Sequence, residues 1–153
     1  MLVFMGALNG ASYIEEQINS VAAQSHPCDL IVSDDGSRDS TIDIVKSHAN
    51  SASVRLVSGP RQGFVRNFLT VFEGRTLESY EWLAFADQDD VWDLNHIERG
   101  IHALRNVSGL GLYGGKTRLI NADGQLLGES TNGGSRLGFA NALIQSFAGG
   151  NTL

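Results

Sequence analysis

Short continuous apolar runs alternate along this chain with stretches whose apolar residues recur at helical spacing, and few folds accept such a pattern. Leu2 to Met5 is the first run. The loop Gly6 to Gly10 follows, and Tyr13, Ile14, Gln17, Ile18 and Val21 then mark one face of a helix, with Ser12 as its cap. Leu30 to Val32 repeats the pattern, cut off by the turn-forming residues Ser33 to Ser37 and followed, after Ser40 and Thr41, by Ile42, Ile44 and Val45. Val54 to Val57 predicts a third strand, broken by Gly59 and Pro60. Phe64, Val65, Phe68, Leu69 and Phe72 then predict an amphipathic helix from Gly63 to Glu73. Glu81 to Ala86 makes a fourth strand, and Leu94, Ile97, Ile101 and Leu104 share one face of a helix from Leu94 to Asn106.

The order β-α-β-α-β-α-β-α predicts an α/β fold with a mostly parallel sheet and helices on both faces. Beyond Asn106 the pattern changes: Leu110 to Ile120 reads as an extended strand, Asn121 to Gly124 as a hairpin turn and Gln125 to Leu127 as the return strand. A C-terminal β-hairpin is therefore expected, then a loop at Asn132 to Gly134 and a short helix from Leu137 to Ile144. With 153 residues, 42% of them hydrophobic, the chain is sized for one domain, 1–153.

Seventeen acidic residues stand against 11 basic ones, and the net charge of -6 argues against a surface made for nucleic-acid phosphates. A phosphorylated small molecule stays compatible, because a metal ion and a few local donors suffice to hold it. Cys28 is the single cysteine, so no intramolecular disulfide can form and a reducing cytoplasm is the expected compartment. The opening MLVFMGAL is too short and too poorly flanked for a signal peptide or a membrane span, and no transmembrane segment is expected. His26, His48, His96 and His102 show no metal-ligand spacing.

In open α/β sheets, ligands bind beyond the carboxyl ends of the strands. Three loops occupy that position here: Gly6 to Gly10, Ser33 to Ser37 and Asp87 to Asp90. They are expected to converge on one crevice. The last loop places three carboxylates within four positions and no lysine or arginine among them. Mutual repulsion on that scale is relieved by a divalent ion, and hard carboxylate oxygens with open positions for water and phosphate suit magnesium or manganese. The same residues would also serve as an acidic cap for the helix starting near Asp93. Asp34 and Asp35 offer a carboxylate to a pyrimidine imide or to ribose hydroxyls, and are equally good turn-formers. Arg61 and Arg66 are the cations nearest the crevice and are candidates for the diphosphate or the base.

The segments NGASYIEEQINSVAAQS, LIVSDDGSRDST, GPRQGFVRNF, FADQDDVW, TRLINADGQLLG and FAGGNTL occur in this order. Together they resemble the family 2 glycosyltransferases with the Rossmann-like GT-A fold, in particular the rhamnosyltransferase-like branch, over nearly the whole chain. The resemblance implies a metal-dependent, inverting transfer of a sugar from a nucleotide diphosphate to a carbohydrate or lipid-linked acceptor in cell-surface polysaccharide synthesis. It implies a place in the cytoplasm, at the inner face of the membrane. By the same resemblance Gly6, Leu8, Asn9 and Asp35 face the nucleotide base, with Asp34 beside them and Arg61 or Arg66 assisting. Asp87 and Asp89 form the D-x-D pair, Asp89 coordinating magnesium or manganese and Asp87 reaching the ribose or a metal-bound water. Gly149, Gly150 and Asn151 close over the donor sugar, where glycine permits close approach. The family commonly carries Thr-Tyr where this chain has Ala7 and Leu8, so Leu8 replaces an aromatic ring against the base. The resemblance also places the catalytic base and most of the acceptor site after Leu153, so that 1–153 is expected to be a truncated unit that binds nucleotide and transfers little sugar.

Other readings of the same residues are a nucleotidyltransferase, a receiver-like signalling module and a nucleotide-binding module without catalysis. The first needs a basic phosphate loop near the N-terminus, and residues 6–19 contain no lysine or arginine. The second needs a phospho-accepting carboxylate at a strand end, for which Asp34 or Asp35 would serve. The third is kept open by Ala7 and Leu8.

Overall fold

A computed structural model describes residues 1–49, 53–73, 76–121 and 123–130 of the chain. Four strands, β1 (Leu2–Ala7), β2 (Asp29–Asp34), β3 (Val54–Ser58) and β4 (Leu83–Ala86), form a parallel sheet in the order β3-β2-β1-β4. Met5 sits opposite Val32 on one side and Ala86 on the other. The chain thus builds outward from β1 through β2 to β3, then returns to add β4 on the opposite flank. That reversal makes the gap between the ends of β1 and β4 the switch point at which such sheets bind ligands.

Alternation along β1 decides what each face buries. Val3, Met5 and Ala7 pack with Ile14, Ile18 and Val21 of α1 (Ile14–Ala22), Val45 of α2 (Thr41–His48) and Ile97 of α4 (His96–Leu104). Leu2 and Phe4 face the other way, onto Ile31, Val71 and Phe68, where α3 (Phe64–Leu69) and the 3-10 segments Thr70–Phe72 and Thr76–Ser79 cover the sheet. Helices thus flank both faces, as the alternating pattern requires.

Several boundaries differ from the sequence expectation. Ser12 caps nothing: α1 is preceded by Tyr13, and the Gly10 carbonyl accepts both the Tyr13 and Ile14 N–H groups at 2.9 Å. The helix expected from Gly63 to Glu73 is a six-residue α3 continued by a 3-10 turn, and its apolar period does not mark the buried face. Asn67 is fully buried instead, with Phe68 and Val71 beside it, while Phe64 is 75% exposed. Hydrogen bonds from Asn67 to β2 fix that rotation. α4 starts at His96, not Leu94, because the carbonyls of Asp93 and Leu94 are used by Gln24 Nε2 and the Ser25 N–H, both at 2.8 Å. Leu94 itself is 63% exposed.

Of the long strand expected over Leu110 to Ile120, only β5 (Arg118–Ile120) is strand; it pairs antiparallel with β6 (Leu126–Glu129). The predicted turn is present: the Gly124 N–H donates to the Asn121 carbonyl at 2.9 Å, with Gly124 at φ 76°. The loop at 132–134 and the helix expected over 137–144 lie outside the described residues. Among the described residues no helix is long and apolar enough to cross a membrane.

Burial separates two apolar residues that look alike in the sequence. Ile18→Ala, in a fully buried site, is expected to cost roughly 2–5 kcal/mol. Leu94→Ala is expected to change stability by less than about 0.5 kcal/mol. Urea unfolding of both variants measures the difference.

Candidate functional site

Beyond the carboxyl ends of β1, β2 and β4 lies a cleft of about 330 Å³. Gly6, Ala7 and Leu8 supply one wall, Phe64, Asn67 and Phe68 of α3 a second, and Asp87, Gln88 and Asp89 a third, with Asp35 at the base of the second strand's loop. Asp35 and Asp89, 54 positions apart in the chain, therefore meet at one edge of the sheet. The expected convergence of three loops is real.

Each loop is held by its own polar side chains. Asp35 is buried, and its Oδ1 and Oδ2 accept the backbone N–H groups of Arg61 (2.6 Å) and Gly63 (2.8 Å). The loop is drawn round that carboxylate tightly enough to put Arg61 at φ 59° and Gly63 at φ 86°. Each carboxylate oxygen retains acceptor capacity toward a ligand. Asp34 turns the other way and accepts from the Gly36 (3.0 Å) and Ser37 (3.1 Å) N–H groups. It shapes the turn and does not line the cleft. Both carboxylates, either of which a receiver-like module would use as phospho-acceptor, are buried and engaged by separate backbone segments.

Asn9, at φ 51°, ties the first loop to the second: its N–H donates to Ser37 Oγ and its Oδ1 accepts the Arg38 N–H, both at 2.9 Å. Its side chain is spent on that link. Arg61 lies against Gly36, where a Cβ would come within 3.3 Å of its side chain. Arg66 pairs with Glu73 at 2.7 Å on the exposed side of α3. Neither arginine lines the cleft. Gly149, Gly150 and Asn151 lie outside the described residues.

Two cleft residues escape sequence reasoning. Asn67 Nδ2 donates to the Ser33 carbonyl at 2.8 Å and its Oδ1 accepts from Ser33 Oγ, so α3 is pinned to β2 by a buried two-point contact. Gly59 leaves room for it, since a Cβ there would lie 2.7 Å from Asn67 Oδ1. The only signal in the sequence is an uncharged polar residue, next to Arg66, between Val65 and Phe68 in an apolar stretch. Gln88, hidden between two aspartates, bonds through its side-chain amide to both backbone groups of Leu8.

The acidic cluster divides. Asp87 and Asp89 line the cleft; Asp90 does not. Burial pushes the Asp87 carboxyl above the usual carboxylate range, and the neighbouring Asp89 charge pushes it further. The acidic-cap alternative finds no support, because Asn95 precedes α4 with no side-chain cap bond and Asp93 is taken by Arg99 and Arg118. Among the described residues no group of three His, Cys, Asp or Glu side chains could hold a metal ion. A two-carboxylate donor set still fits a magnesium- or manganese-type ion, which keeps water and phosphate oxygens for its other positions. The half-buried Asp87, with a like charge beside it and no lysine or arginine among the described residues lining the cleft, is the kind of site a cation relieves.

Residues 2–124 match the family model described as Glycosyl transferase family 2. Over 105 residues, 65% of this chain and 36% of the relative, the sequence is 30% identical to a dTDP-rhamnosyl transferase of Shigella flexneri. Over 149 residues, 94% of this chain and 45% of the relative, it is 26% identical to an uncharacterized glycosyltransferase of a Nostoc species. Among solved structures it is similar to TarS of S. aureus, at 25% identity and a TM-score of 0.52 over 72% of this chain and 22% of TarS. It is also similar to a mannosyltransferase of Pyrobaculum calidifontis solved with GDP-Man and Mn2+, at 20% identity and a TM-score of 0.61 over 78% of this chain and 35% of that protein. The chain spans less than half the length of each of these proteins.

Two outcomes follow from the cleft alone. In the unfolded chain Asp87 ionises in the ordinary range, whereas the folded protein holds its proton to higher pH. The folded state therefore loses stability as pH rises from the ordinary value through the raised one. Without metal, Asp87→Asn is expected to raise the thermal midpoint at pH 7 by roughly 1–3 °C, with the gain shrinking toward pH 4; thermal unfolding across that range measures it. Asn67→Ala leaves the Ser33 groups without their buried partner and is expected to cost about 1–3 kcal/mol, read by urea unfolding.

Proposed function

The chain belongs to glycosyl transferase family 2, and we propose that its cleft takes the nucleotide diphosphate of a sugar donor together with a divalent cation, for inverting transfer to an acceptor hydroxyl. The fold is the mixed α/β, GT-A type of its structural relatives. One observation carries the proposal: Asp35, from the loop after β2, and Asp87 and Asp89, from the loop after β4, open onto a single cleft at the switch point of a parallel sheet.

The roles follow from position. Leu8 is 46% exposed at the mouth and offers an apolar contact to a base face. Asp35 accepts from the base or the ribose hydroxyls, and its two bonds to the Arg61–Gly63 loop keep it aimed. Asp89 holds magnesium or manganese, with Asp87 directed at the ribose or a metal-bound water. The cation, when bound, supplies positive charge to the departing diphosphate. Arg61 and Arg66 are poor candidates for that task, since one packs on Gly36 and the other pairs with Glu73. Gly149, Gly150 and Asn151 are assigned to the donor sugar.

Similarity to the Shigella dTDP-rhamnosyl transferase favours a deoxyhexose carried on thymidine diphosphate, with uridine diphosphate sugars as the neighbouring choice. A carbohydrate or lipid-linked acceptor in polysaccharide synthesis, met at the cytoplasmic face of the membrane, completes the proposal.

Titration calorimetry of thymidine and uridine diphosphates, with manganese and with chelator, tests it. Binding is expected with manganese, and Asp89→Ala is expected to weaken it by about ten- to a hundredfold, the loss typical of a contact to a charged group. Equal affinity in manganese and chelator would remove the metal from the scheme.

A further inference from the structure

The ladder between β1 and β4 runs from Leu2 opposite Leu83 to Met5 opposite Ala86. Past that point the two chains must diverge, because β1 leads into the loop at the mouth of the cleft and β4 into the acidic cluster. Yet one further rung exists. The Leu8 N–H donates to Gln88 Oε1 at 2.9 Å, and Gln88 Nε2 donates to the Leu8 carbonyl at 3.0 Å. A carboxamide presents the same donor and acceptor as a peptide group, so the side chain replaces the missing strand residue and joins the loops across the switch point.

Gly10 makes room for this contact. A Cβ at that position would lie 2.2 Å from Gln88 Oε1 and 2.6 Å from Cδ. Gln88 is flanked in sequence by Asp87 and Asp89, and all three line the cleft beside Leu8. We infer that Gln88 is a positioning residue that sets the distance between the base-facing loop and the two cleft aspartates, so that base and diphosphate are bound as one unit. The inference rests on the proposed nucleotide-diphosphate function and adds to it a residue that acts through the Leu8 backbone.

Its signature is a loss confined to the joined ligand. Two half-sites gain affinity for a linked ligand only when their spacing matches it. Gln88→Leu keeps the side chain's bulk and removes its polar atoms. With manganese present, it is expected to weaken a nucleoside diphosphate by about tenfold, a loss of the size expected for one or two hydrogen bonds, while inorganic pyrophosphate binds as before. The Leu8 amide should exchange with solvent much faster in this variant, with the Val3 and Met5 amides of β1 still protected. A merely structural role would instead weaken both ligands alike and loosen β1.

Gly10→Ala approaches the same contact from the other side. Gly10 has no left-handed backbone, and the three atoms nearest a Cβ there all belong to Gln88, so alanine meets Gln88 first. It should reproduce the loss in the otherwise unchanged protein and cause no further loss beside Gln88→Ala, as coupled residues do. Gln88→Leu protein with normal Leu8 exchange, or with pyrophosphate and nucleoside diphosphate weakened equally, would overturn the inference; should Gln88→Leu not fold, additive losses in the Gly10 cycle would do so. Unchanged protein that binds no nucleoside diphosphate would mark failure of the proposed function, a result separate from either.

Discussion

Everything at the cleft depends on β1 being hydrogen-bonded in parallel on both sides, to β2 and to β4. Parallel pairing sends the carboxyl ends of all three strands to the same edge, so loops far apart in the chain arrive together before any contact between them is counted. A strand so placed is buried on both faces, which is why β1 is apolar at almost every position and why Gly6 is tolerated near its end. There the aromatic ring of Phe68 comes close enough to sit 3.3 Å from a Cβ built on Gly6. The core thus fixes the edge, and the edge fixes which residues can face a ligand.

Polar side chains then do what secondary structure cannot do beyond the strand ends. Asp34 closes its own turn, Asp35 gathers the Arg61–Gly63 loop, Asn9 accepts the Arg38 N–H and Asn67 pins α3 to β2. Each satisfies backbone groups that no strand ladder reaches, and where the group is buried, as at the Ser33 carbonyl, a lost partner carries a larger penalty than the net gain from a typical hydrogen bond. Most polar residues around the cleft are therefore its scaffold. The carboxylates of Asp87 and Asp89 are different, for the charge of exposed Asp89 stands beside the half-buried Asp87. Such an arrangement lowers stability, and on the proposed function the bound cation would compensate for it.

The strands and their order were legible because buried parallel strands are apolar runs, and Leu2 to Met5, Leu30 to Val32 and Val54 to Val57 all fall within observed strands. The site was legible in outline for the same reason: DDG and DQDD stand where such runs stop. What sequence could not reveal was direction. Asp34 and Asp35 are adjacent and chemically identical, yet only Asp35 faces the cleft, because strand alternation and the turn at Gly36 send them opposite ways. In α3 the apolar period misled, since two hydrogen bonds from Asn67 to Ser33 outweigh the preference of Phe64 and Val65 for burial. Gln88 was invisible because its partner is backbone, which carries no residue identity.

The charge of the cleft has a consequence for the order of events. Asp35, Asp87 and Asp89 line it, and no lysine or arginine among the described residues does, so a diphosphate entering alone would meet carboxylates and no positive side chain. A cation entering alone would find two carboxylates and too few ligands. Each is a poor ligand by itself and a better one in the presence of the other, and linkage requires the improvement to be mutual. On the proposed function, a site built this way would discriminate against nucleosides that lack a diphosphate and against free metal ions at once. On the same proposal an acidic chain, with a net charge of -6, is compatible with an anionic substrate, because the positive charge would travel in with the ligand.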